Sequence, residues 1–350
     1  MHVAMFQEAL ADRMVRCVLC YHRCQLCPGQ RGRCGVRENR EGVLYSLVYG
    51  YPAAQAVDPI EKKPLYHVLP GTRTFSIATP GCNFRCLHCQ NASLSQVGDT
   101  RLAADEGKRV EPAQIVAAAR RLQCPSISYT YSEPTVGFEY VYDTARLATA
   151  SGLRNILVTN GFMTPDPVRL LAPFWDAANI DLKCFRDDAY RTVCGGRLQP
   201  VMDTIRLCHS LKIWIEITTL IIPGLNDDDA DLRGIADFLA SIDTSIPWHV
   251  TAFHPAYRMP DVPPTPPATL RRAQHIGKAA GLHYVYTGNI GDRVGSVTTC
   301  PSCGRAVIER PIPPAAADST TECVVDGCCR HCGCAVPGLW SLHSGLHSEP

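Results

Sequence analysis

Between residues 74 and 290, short apolar runs alternate with longer segments whose apolar residues recur at helical spacing. The short runs are rich in β-branched and aromatic residues, which predicts strands at 74–79, 126–131, 155–160, 178–183, 214–222, 248–253 and 283–288. The longer segments predict helices at 112–123, 137–150, 200–212, 229–242 and 269–281. Because strands and helices alternate, the strands should run parallel, with right-handed crossovers. The pattern therefore predicts an α/β fold, with a sheet or barrel of βα units.

Polar residues gather where these predicted strands end. They are Cys82, Ser132, Glu133, Asn160, Asp181, Lys183, His254 and Asn289. Parallel βα folds build their sites at the carboxyl ends of the strands, so we expect these side chains to converge. Asp181 and Lys183 are two residues apart on one strand and should therefore point to the same face. A lysine inside such a fold is costly unless it is paired, which favours a functional role for Lys183.

The chain divides into three predicted regions. Residues 1–70 form an N-terminal cysteine-rich module, 71–295 the core and 296–350 a C-terminal module that resembles a zinc ribbon. A Pro-rich stretch at 258–267 predicts a loop before the last helix, and another at 310–321 predicts a flexible insert between two cysteine pairs.

Charge and composition exclude several classes of protein. The formal net charge of +1 gives no global field for nucleic acid, membrane or acidic partners. No uncharged apolar run approaches the ~20 residues that a membrane helix needs. The first 17 residues mix acidic with apolar positions, unlike a secretory signal. We therefore expect a soluble, cytoplasmic protein.

Cysteine is unusually abundant, with 19 residues in the chain. An odd count in a large cytoplasmic protein argues against a disulfide framework and favours metal binding. Most of the cysteines fall into an N-terminal, a central and a C-terminal cluster. The exceptions are Cys124, Cys184, Cys194 and Cys208, which we interpret as small buried apolar residues.

The central cluster places Cys82, Cys86 and Cys89 within eight residues, on a loop that leaves a predicted strand. A cubane iron–sulfur cluster normally takes four thiolates, so three local cysteines suggest that one iron is left for an external ligand. The alternative is a zinc site that uses His88 as the fourth ligand. His88 lies between two of the cysteines and would have to reach the same ion as both, which disfavours zinc.

The spacing C-x3-C-x2-C resembles the signature of the radical S-adenosylmethionine (radical SAM) superfamily. Further segments resemble one of its families, the AmmeMemoRadiSam system radical SAM enzyme, which is related to the activating enzymes of glycyl radical proteins such as pyruvate formate-lyase. These segments are DPIEKKPLYHVLPG (58–71), TPGCNFRCLHCQN (79–91), YTYSEPT (129–135), VTNGF (158–162), DLKCF (181–185) and IIPGLND (221–227). The resemblance extends from about Cys17 to about Trp340.

The resemblance implies a partial (β/α)6 TIM-like barrel, a [4Fe–4S] cluster and S-adenosylmethionine, whose reductive cleavage gives a 5′-deoxyadenosyl radical that abstracts hydrogen from a protein or small-molecule substrate. An electron donor such as flavodoxin or ferredoxin is also implied. Cys82, Cys86, Cys89 and Lys183 would be the catalytic residues.

The same resemblance implies a set of cofactor contacts. Ser132 and Glu133 lie in the SEPT segment that corresponds to the motif holding the methionine moiety, with Glu133 on its ammonium. Asn160 would face the ribose or the carboxylate, and Lys183 the carboxylate. Asp181 would take a ribose hydroxyl or the ammonium. His88 stands where relatives carry an aromatic residue near the adenine, while His254 either contacts the cofactor or merely caps the barrel mouth.

The two terminal clusters are further metal candidates. Cys17, Cys20, Cys24 and Cys34 fit the family's cysteine pattern, with Cys27 as an extra residue, and four such thiolates can close a zinc site or a second iron–sulfur cluster. The pairs Cys300/Cys303 and Cys329/Cys332 are two C-x2-C-G knuckles, which predict a structural zinc ribbon. An electron-transfer cluster remains an alternative at either end.

A non-catalytic electron carrier or interaction scaffold is the alternative function. A carrier has no use for polar side chains that converge at one end of a barrel, so we favour the enzyme. Nucleic-acid binding by the C-terminal module is disfavoured, because residues 303–329 are poor in Lys and Arg.

Overall fold

The computed structural model describes residues 1–97, 109–310 and 323–341. Its centre is a mixed sheet of eight strands that neighbour one another in chain order. They are β7 (Ala54–Pro59), β8 (Arg73–Ala78), β9 (Ser126–Tyr129), β10 (Arg154–Thr159), β11 (Ala177–Asp181), β12 (Trp214–Ile221), β13 (Trp248–Ala252) and β14 (Val285–Gly288). Strands β8 to β14 are parallel to their neighbours, and β7 pairs antiparallel with β8 at the edge.

The seven parallel strands are those that the apolar runs predict. The edge strand β7 is absent from that prediction, although its pairing with β8 runs from Ala54 opposite Ala78 to Pro59 opposite Arg73. Its sequence, AQAVDP, mixes small, polar and proline residues and lacks a continuous apolar run. An edge strand tolerates such a composition because only one of its sides is paired.

Helices connect the parallel strands. They are α1 (Ala92–Ser95), α2 (Pro112–Arg121), α3 (Phe138–Ala150), α4 (Pro165–Leu171), α5 (Asp187–Ala189), α6 (Leu198–Ser210), α7 (Asp229–Ile242) and α8 (Pro267–Ala279). The five predicted helices correspond to α2, α3, α6, α7 and α8. Local sequence explains where they begin: a capping box of Glu111 and Gln114 starts α2, and the Asp228 carboxylate accepts from the Asp231 amide at the start of α7.

Short antiparallel sheets make up the two ends of the chain. The N-terminal strands are β1 (His2–Val3), β2 (Gln7–Ala9), β3 (Val15–Cys17), β4 (Gln25–Leu26), β5 (Arg37–Arg40) and β6 (Val43–Ser46), which form the sheets β1-β6-β5 and β2-β3-β4. The C-terminal strands form two hairpins: β15 (Thr298–Thr299) with β16 (Ala306–Ile308), and β17 (Val324–Val325) with β18 (Cys328–Cys329). The predicted insert at 310–321 lies, except for Arg310, outside the described residues.

Both faces of the parallel sheet are covered, as its continuous apolar strands require. All five residues of β13 are buried, and Trp248 and Trp175 are among the largest fully buried side chains. Within the described ranges, no helix is long and apolar enough to cross a membrane. The parallel strands and the helices that connect them confirm the α/β class. The carboxyl ends of β8 to β14 form one edge of the sheet, at which the predicted site residues lie.

Candidate functional site

The loop that carries Cys82, Cys86 and Cys89, the cysteine loop, follows β8 and is hydrogen-bonded to two other segments. Gly81 has φ +98°, and its amide donates to the Leu94 carbonyl near the end of α1. An added Cβ there would lie 2.7 Å from a Val36 methyl group, so the turn requires glycine. Further along, the Arg85 and Leu87 amides donate to the carbonyls of Cys194 and Val193, which end a π-helix at Tyr190–Cys194. The loop is therefore held in a defined shape by backbone hydrogen bonds to two other segments.

The three motif thiols have different surroundings. Cys86 is buried, whereas Cys82 and Cys89 are half-buried. Burial raises the pKa of the Cys82 thiol. A hydrogen bond with Cys194 and the nearby Lys183 ammonium hold the pKa of Cys86 below its usual value. The Cys89 Sγ lies 3.1 Å from the Ser95 Oγ on α1.

Glu133 is buried between the ends of β9 and β10, and its carboxylate accepts several hydrogen bonds. Its Oε2 accepts from the Asn160 amide at 2.8 Å, and its Oε1 accepts from the Thr135 amide at 3.0 Å and from the hydroxyls of Thr135 and Thr159 at 2.5 and 2.7 Å. Burial raises the pKa of this carboxyl, although each of these hydrogen bonds lowers it. The bonds hold the carboxylate in one orientation beside Asn160.

Asn160 joins Glu133 to the cysteine loop. Its Nδ2 donates to the Asn83 Oδ1 at 2.7 Å and lies 3.7 Å from the Cys82 Sγ, while its Oδ1 accepts from the Phe162 amide at 2.9 Å. The ends of β8, β9 and β10 are thus linked by one continuous polar network. This convergence is what the positions of these residues at the strand ends predict.

Asp181 and Lys183 form a second polar pair at the end of β11. The Lys183 Nζ donates to the Asp181 Oδ2 at 2.9 Å, and the two side chains are 15% and 32% exposed. Burial alone would lower the pKa of Lys183, but Asp181, Cys86 and Cys194 together raise it well above its usual value. Lys183 therefore stays cationic next to the cysteine loop, as expected for a lysine that is buried only when paired.

His88 and Cys194 lie next to Cys86. Ligand atoms of these three residues lie within 4.8 Å of one another, and all three residues are buried. Burial, together with the Lys183 charge, lowers the pKa of His88 to about 3, so its ring is neutral. The His88 Nδ1 is buried and has no hydrogen-bond partner. Cys82 and Cys89 lie outside this compact group, so it does not correspond to the predicted alternative of one zinc ion on three motif cysteines and His88.

Cys194 is the site residue that sequence reasoning missed. Nothing in its sequence context distinguishes it from Cys124, Cys184 and Cys208, which are buried as expected. It reaches Cys86 because the π-helix at Tyr190–Cys194 is bonded to the cysteine loop. Only the tertiary contact between two segments about 105 residues apart reveals it.

Ser132 and His254 lie at the same edge with weaker connections to the network. The buried Ser132 hydroxyl donates to the Thr79 carbonyl just before the cysteine loop. His254 is exposed, and its Nε2 lies 3.3 Å from the Asn289 carbonyl oxygen. Ser132 thus supports the loop, while the contact of His254 suits a cap over the end of β14.

Comparison with known proteins identifies the superfamily. Residues 76–239 match the family model described as the Radical SAM superfamily. A protein of Methanocaldococcus jannaschii, the uncharacterized protein MJ0808, is 45% identical over 311 residues, which cover 89% of this chain and 92% of that protein. This chain belongs to the radical SAM superfamily.

Two further proteins are similar to this radical SAM chain over part of its length. The "Putative glycyl-radical enzyme activating enzyme MJ1632" of M. jannaschii is 26% identical over 191 residues, which cover 51% of this chain and 66% of that protein. A domain of pyruvate-formate lyase-activating enzyme from Bacteroides vulgatus has a TM-score of 0.42 at 18% identity, covering 47% of this chain and 99% of that domain. The predicted superfamily and its relation to activating enzymes are confirmed.

Membership implies that a radical SAM protein binds a [4Fe–4S] cluster and S-adenosylmethionine and receives electrons from a reductant. The residues present fit such a cluster. Cys82, Cys86 and Cys89 share one loop, but the three sulfurs do not converge on a point as they would around a single ion. The Asn160 amide and the Lys183 ammonium stand beside two of the thiols, and both groups suit an anionic cluster.

Proposed function

We propose that this chain is an enzyme in which Cys82, Cys86 and Cys89 hold the cluster and leave one iron for S-adenosylmethionine, and that it abstracts hydrogen from a protein or small molecule in the manner of an activating enzyme. When bound, the cluster supplies the electron that cleaves S-adenosylmethionine to methionine and a 5′-deoxyadenosyl radical. The observation that supports this proposal best is the network from Cys82 through Asn160 to Glu133, in which the proposed cofactor contacts lie next to a proposed cluster ligand.

The chain's own residues would bind and orient the cofactor. Glu133 offers a carboxylate to the methionine ammonium, and its four internal hydrogen bonds keep it in place. Lys183 would neutralise the cofactor carboxylate, while Asp181 keeps the ammonium of Lys183 in position and takes a ribose hydroxyl. Asn160 is placed for the ribose or the carboxylate, and the neutral ring of His88 for the adenine. Ser132 and His254 are proposed as outer contacts.

The remaining parts of the proposal concern the frame and the partners. We propose that β8 to β14 curve into the partial barrel typical of the superfamily and that Cys300, Cys303, Cys329 and Cys332 hold a structural zinc ion. The relation to an activating enzyme favours a protein as the substrate. The electron donor would be a small one-electron carrier of the flavodoxin or ferredoxin type.

The non-catalytic carrier is not favoured. A carrier would need cysteine ligands alone, whereas here Glu133, Asn160 and the Asp181–Lys183 pair lie beside the cysteine loop. The superfamily match covers this whole set of residues.

The test is cleavage of S-adenosylmethionine after anaerobic reconstitution with iron and sulfide and reduction with dithionite. The wild-type chain should form 5′-deoxyadenosine, and C86A should form none. The matched control is C208A, which removes a buried thiol on α6 that has only a packing role. If C86A formed 5′-deoxyadenosine at the wild-type rate, the assignment of the cluster ligands would be wrong.

A further inference from the structure

A cavity lined by cysteines, separate from the cysteine loop, lies between the N-terminal module and the core. The cavity is small, with an enclosed volume of about 20 Å³. Its lining includes Cys17, Cys20, Cys24 and Cys34 together with Leu19, His22, Gly32, Arg33, Arg37, Asn83, Thr135 and Val136. All four N-terminal candidate ligands therefore face one space, whereas the extra cysteine, Cys27, is exposed and does not line it.

The spacing of the sulfurs distinguishes this site from a zinc site. Around one zinc ion, four thiolates at ~2.3 Å stand about 3.8 Å apart. The C-terminal set has this spacing: the Cys300 and Cys332 sulfurs are 3.5 Å apart, the Cys303 and Cys329 sulfurs 3.9 Å apart, and all four lie within 4.8 Å. Among the described residues, only that set and the group around Cys86 meet this limit. No three of the N-terminal thiols lie within 4.8 Å of one another, and neither do the three cysteines of the radical SAM motif.

Gly32 shows how the space between two of these thiols is kept open. A Cβ built on Gly32 would lie 3.8 Å from the Cys34 Sγ and 3.9 Å from the Cys24 Sγ. Both sulfurs are therefore in van der Waals contact with that point, and a large side chain there would press against both of them. In a cubane each thiolate binds a different iron, so the ligands surround a volume, whereas around zinc they meet at one ion.

Arg37 supplies a second, independent observation. Its guanidinium is buried, with its Nη atoms bonded to Glu139 and to the Met5 carbonyl. Its Nε is buried and has no partner, and Arg37 lines the cavity. An unsatisfied buried donor is destabilising, and the sulfide and thiolate sulfurs of a cluster would accept a hydrogen bond from it. The cavity thus has an unused donor as well as four thiols.

We propose that Cys17, Cys20, Cys24 and Cys34 hold a second [4Fe–4S] cluster, bound by four cysteines and closed to S-adenosylmethionine. The two cluster sites share a wall: Asn83 lines this cavity, directly follows Cys82 and accepts from Asn160. On its other side, Cys24 also lines a wide open cleft at the surface. The second cluster would therefore lie between the surface and the first, and its presence does not depend on the radical chemistry proposed above.

Metal analysis of the full chain tests this proposal. After anaerobic reconstitution, the wild type should contain about eight iron and eight sulfide per chain and about one zinc. The triple variant C82A/C86A/C89A should keep about four iron, and C20S/C34S should keep the other four. The control C27S should contain as much iron as the wild type. If the triple variant held no iron, with or without a second zinc, the proposal would be overturned.

Electron paramagnetic resonance of the wild type needs no variant to fold. After reduction, two cluster signals should appear, of which one changes on addition of S-adenosylmethionine and one does not. A single signal that accounts for all the iron would overturn the second cluster. Failure to form 5′-deoxyadenosine with eight iron present would instead count against the proposed function alone, so the two failures are distinguishable.

Discussion

The two cysteine-rich ends of the chain look alike in sequence and differ in structure. Each supplies four candidate ligand cysteines in a short, loop-rich module, and from spacing alone each could hold zinc or a cluster. In the structure, the C-terminal sulfurs meet within 4.8 Å, whereas the N-terminal sulfurs surround a cavity. The distance between thiols, which the sequence does not show, is therefore the basis on which we propose one ion at the C-terminal set and a cluster at the N-terminal set.

The modules also differ in how they join the core. The N-terminal module is tied by a buried ion pair, in which Arg37 donates to both Glu139 oxygens at 3.0 and 3.1 Å. The C-terminal module is attached through residues just before β8, by hydrogen bonds to backbone carbonyls: the His67 ring donates to the Pro337 carbonyl and Arg310 donates to the Tyr66 carbonyl. Substitutions in the two modules should therefore have different effects.

Removal of Cys303, a proposed zinc ligand, should have the largest effect. The C-terminal strands are two or three residues long, so the ion would provide most of the order in this module. In C303S we expect zinc to be lost and proteases to cleave within residues 296–310 and 323–341, while the iron content stays at the wild-type level. Elemental analysis and limited proteolysis measure both.

The matched control for this experiment is C328S. Cys328 lies in the other C-terminal hairpin, next to Cys329, but outside the four-sulfur set. It should keep its zinc and its protease resistance. If C303S retained zinc as firmly as C328S does, the C-terminal site would not be the ribbon described here.

The ion pair of the N-terminal module should give the next largest effect. Glu139 and Arg37 are 1% and 2% exposed, so E139Q leaves an uncompensated buried cation. Breaking such a pair costs about 3–5 kcal/mol. We expect a fall of this size in the free energy of unfolding, measured by urea denaturation. E8Q, at an exposed pair with Arg16, should change it by less than about 1 kcal/mol; equal losses in both variants would show that the buried pair is not what ties this module to the core.

Much of the fold was predictable because periodicity encodes it. Apolar runs and helical spacing located the seven parallel strands and five helices, and the rule that sites form at strand ends placed Glu133, Asn160, Asp181 and Lys183 together. The missed features depend on tertiary contacts. Strand β7 is defined by its pairing with β8, and Cys194 is defined by its contact with Cys86 across a distant loop.

The smallest effect concerns pH and the attachment of the C-terminal module. His67 is fully buried, and desolvation, with smaller effects of Arg310 and His249, lowers its pKa to about 4, although Glu216 and the bond to Pro337 oppose the shift. Since a carbonyl only accepts, the His67 Nδ1 carries the proton, and Nε2 accepts from the Tyr286 hydroxyl at 2.7 Å. A second proton on the ring would disrupt this arrangement.

The sign of the pH effect follows from these values. Between pH ~6.5, where an unfolded histidine titrates, and about 4, only the unfolded chain takes up the proton, so the folded state loses stability as the pH falls. At pH 5 the loss from His67 should be about 2 kcal/mol relative to pH 7. H67Q should have a lower free energy of unfolding than the wild type at both pH values, as measured by urea denaturation. Its decrease from pH 7 to pH 5 should be smaller than that of the wild type by about 2 kcal/mol. The control H275Q replaces an exposed histidine on α8, and its stability should depend on pH as that of the wild type does. An H67Q variant with the wild-type slope would show that another group titrates there.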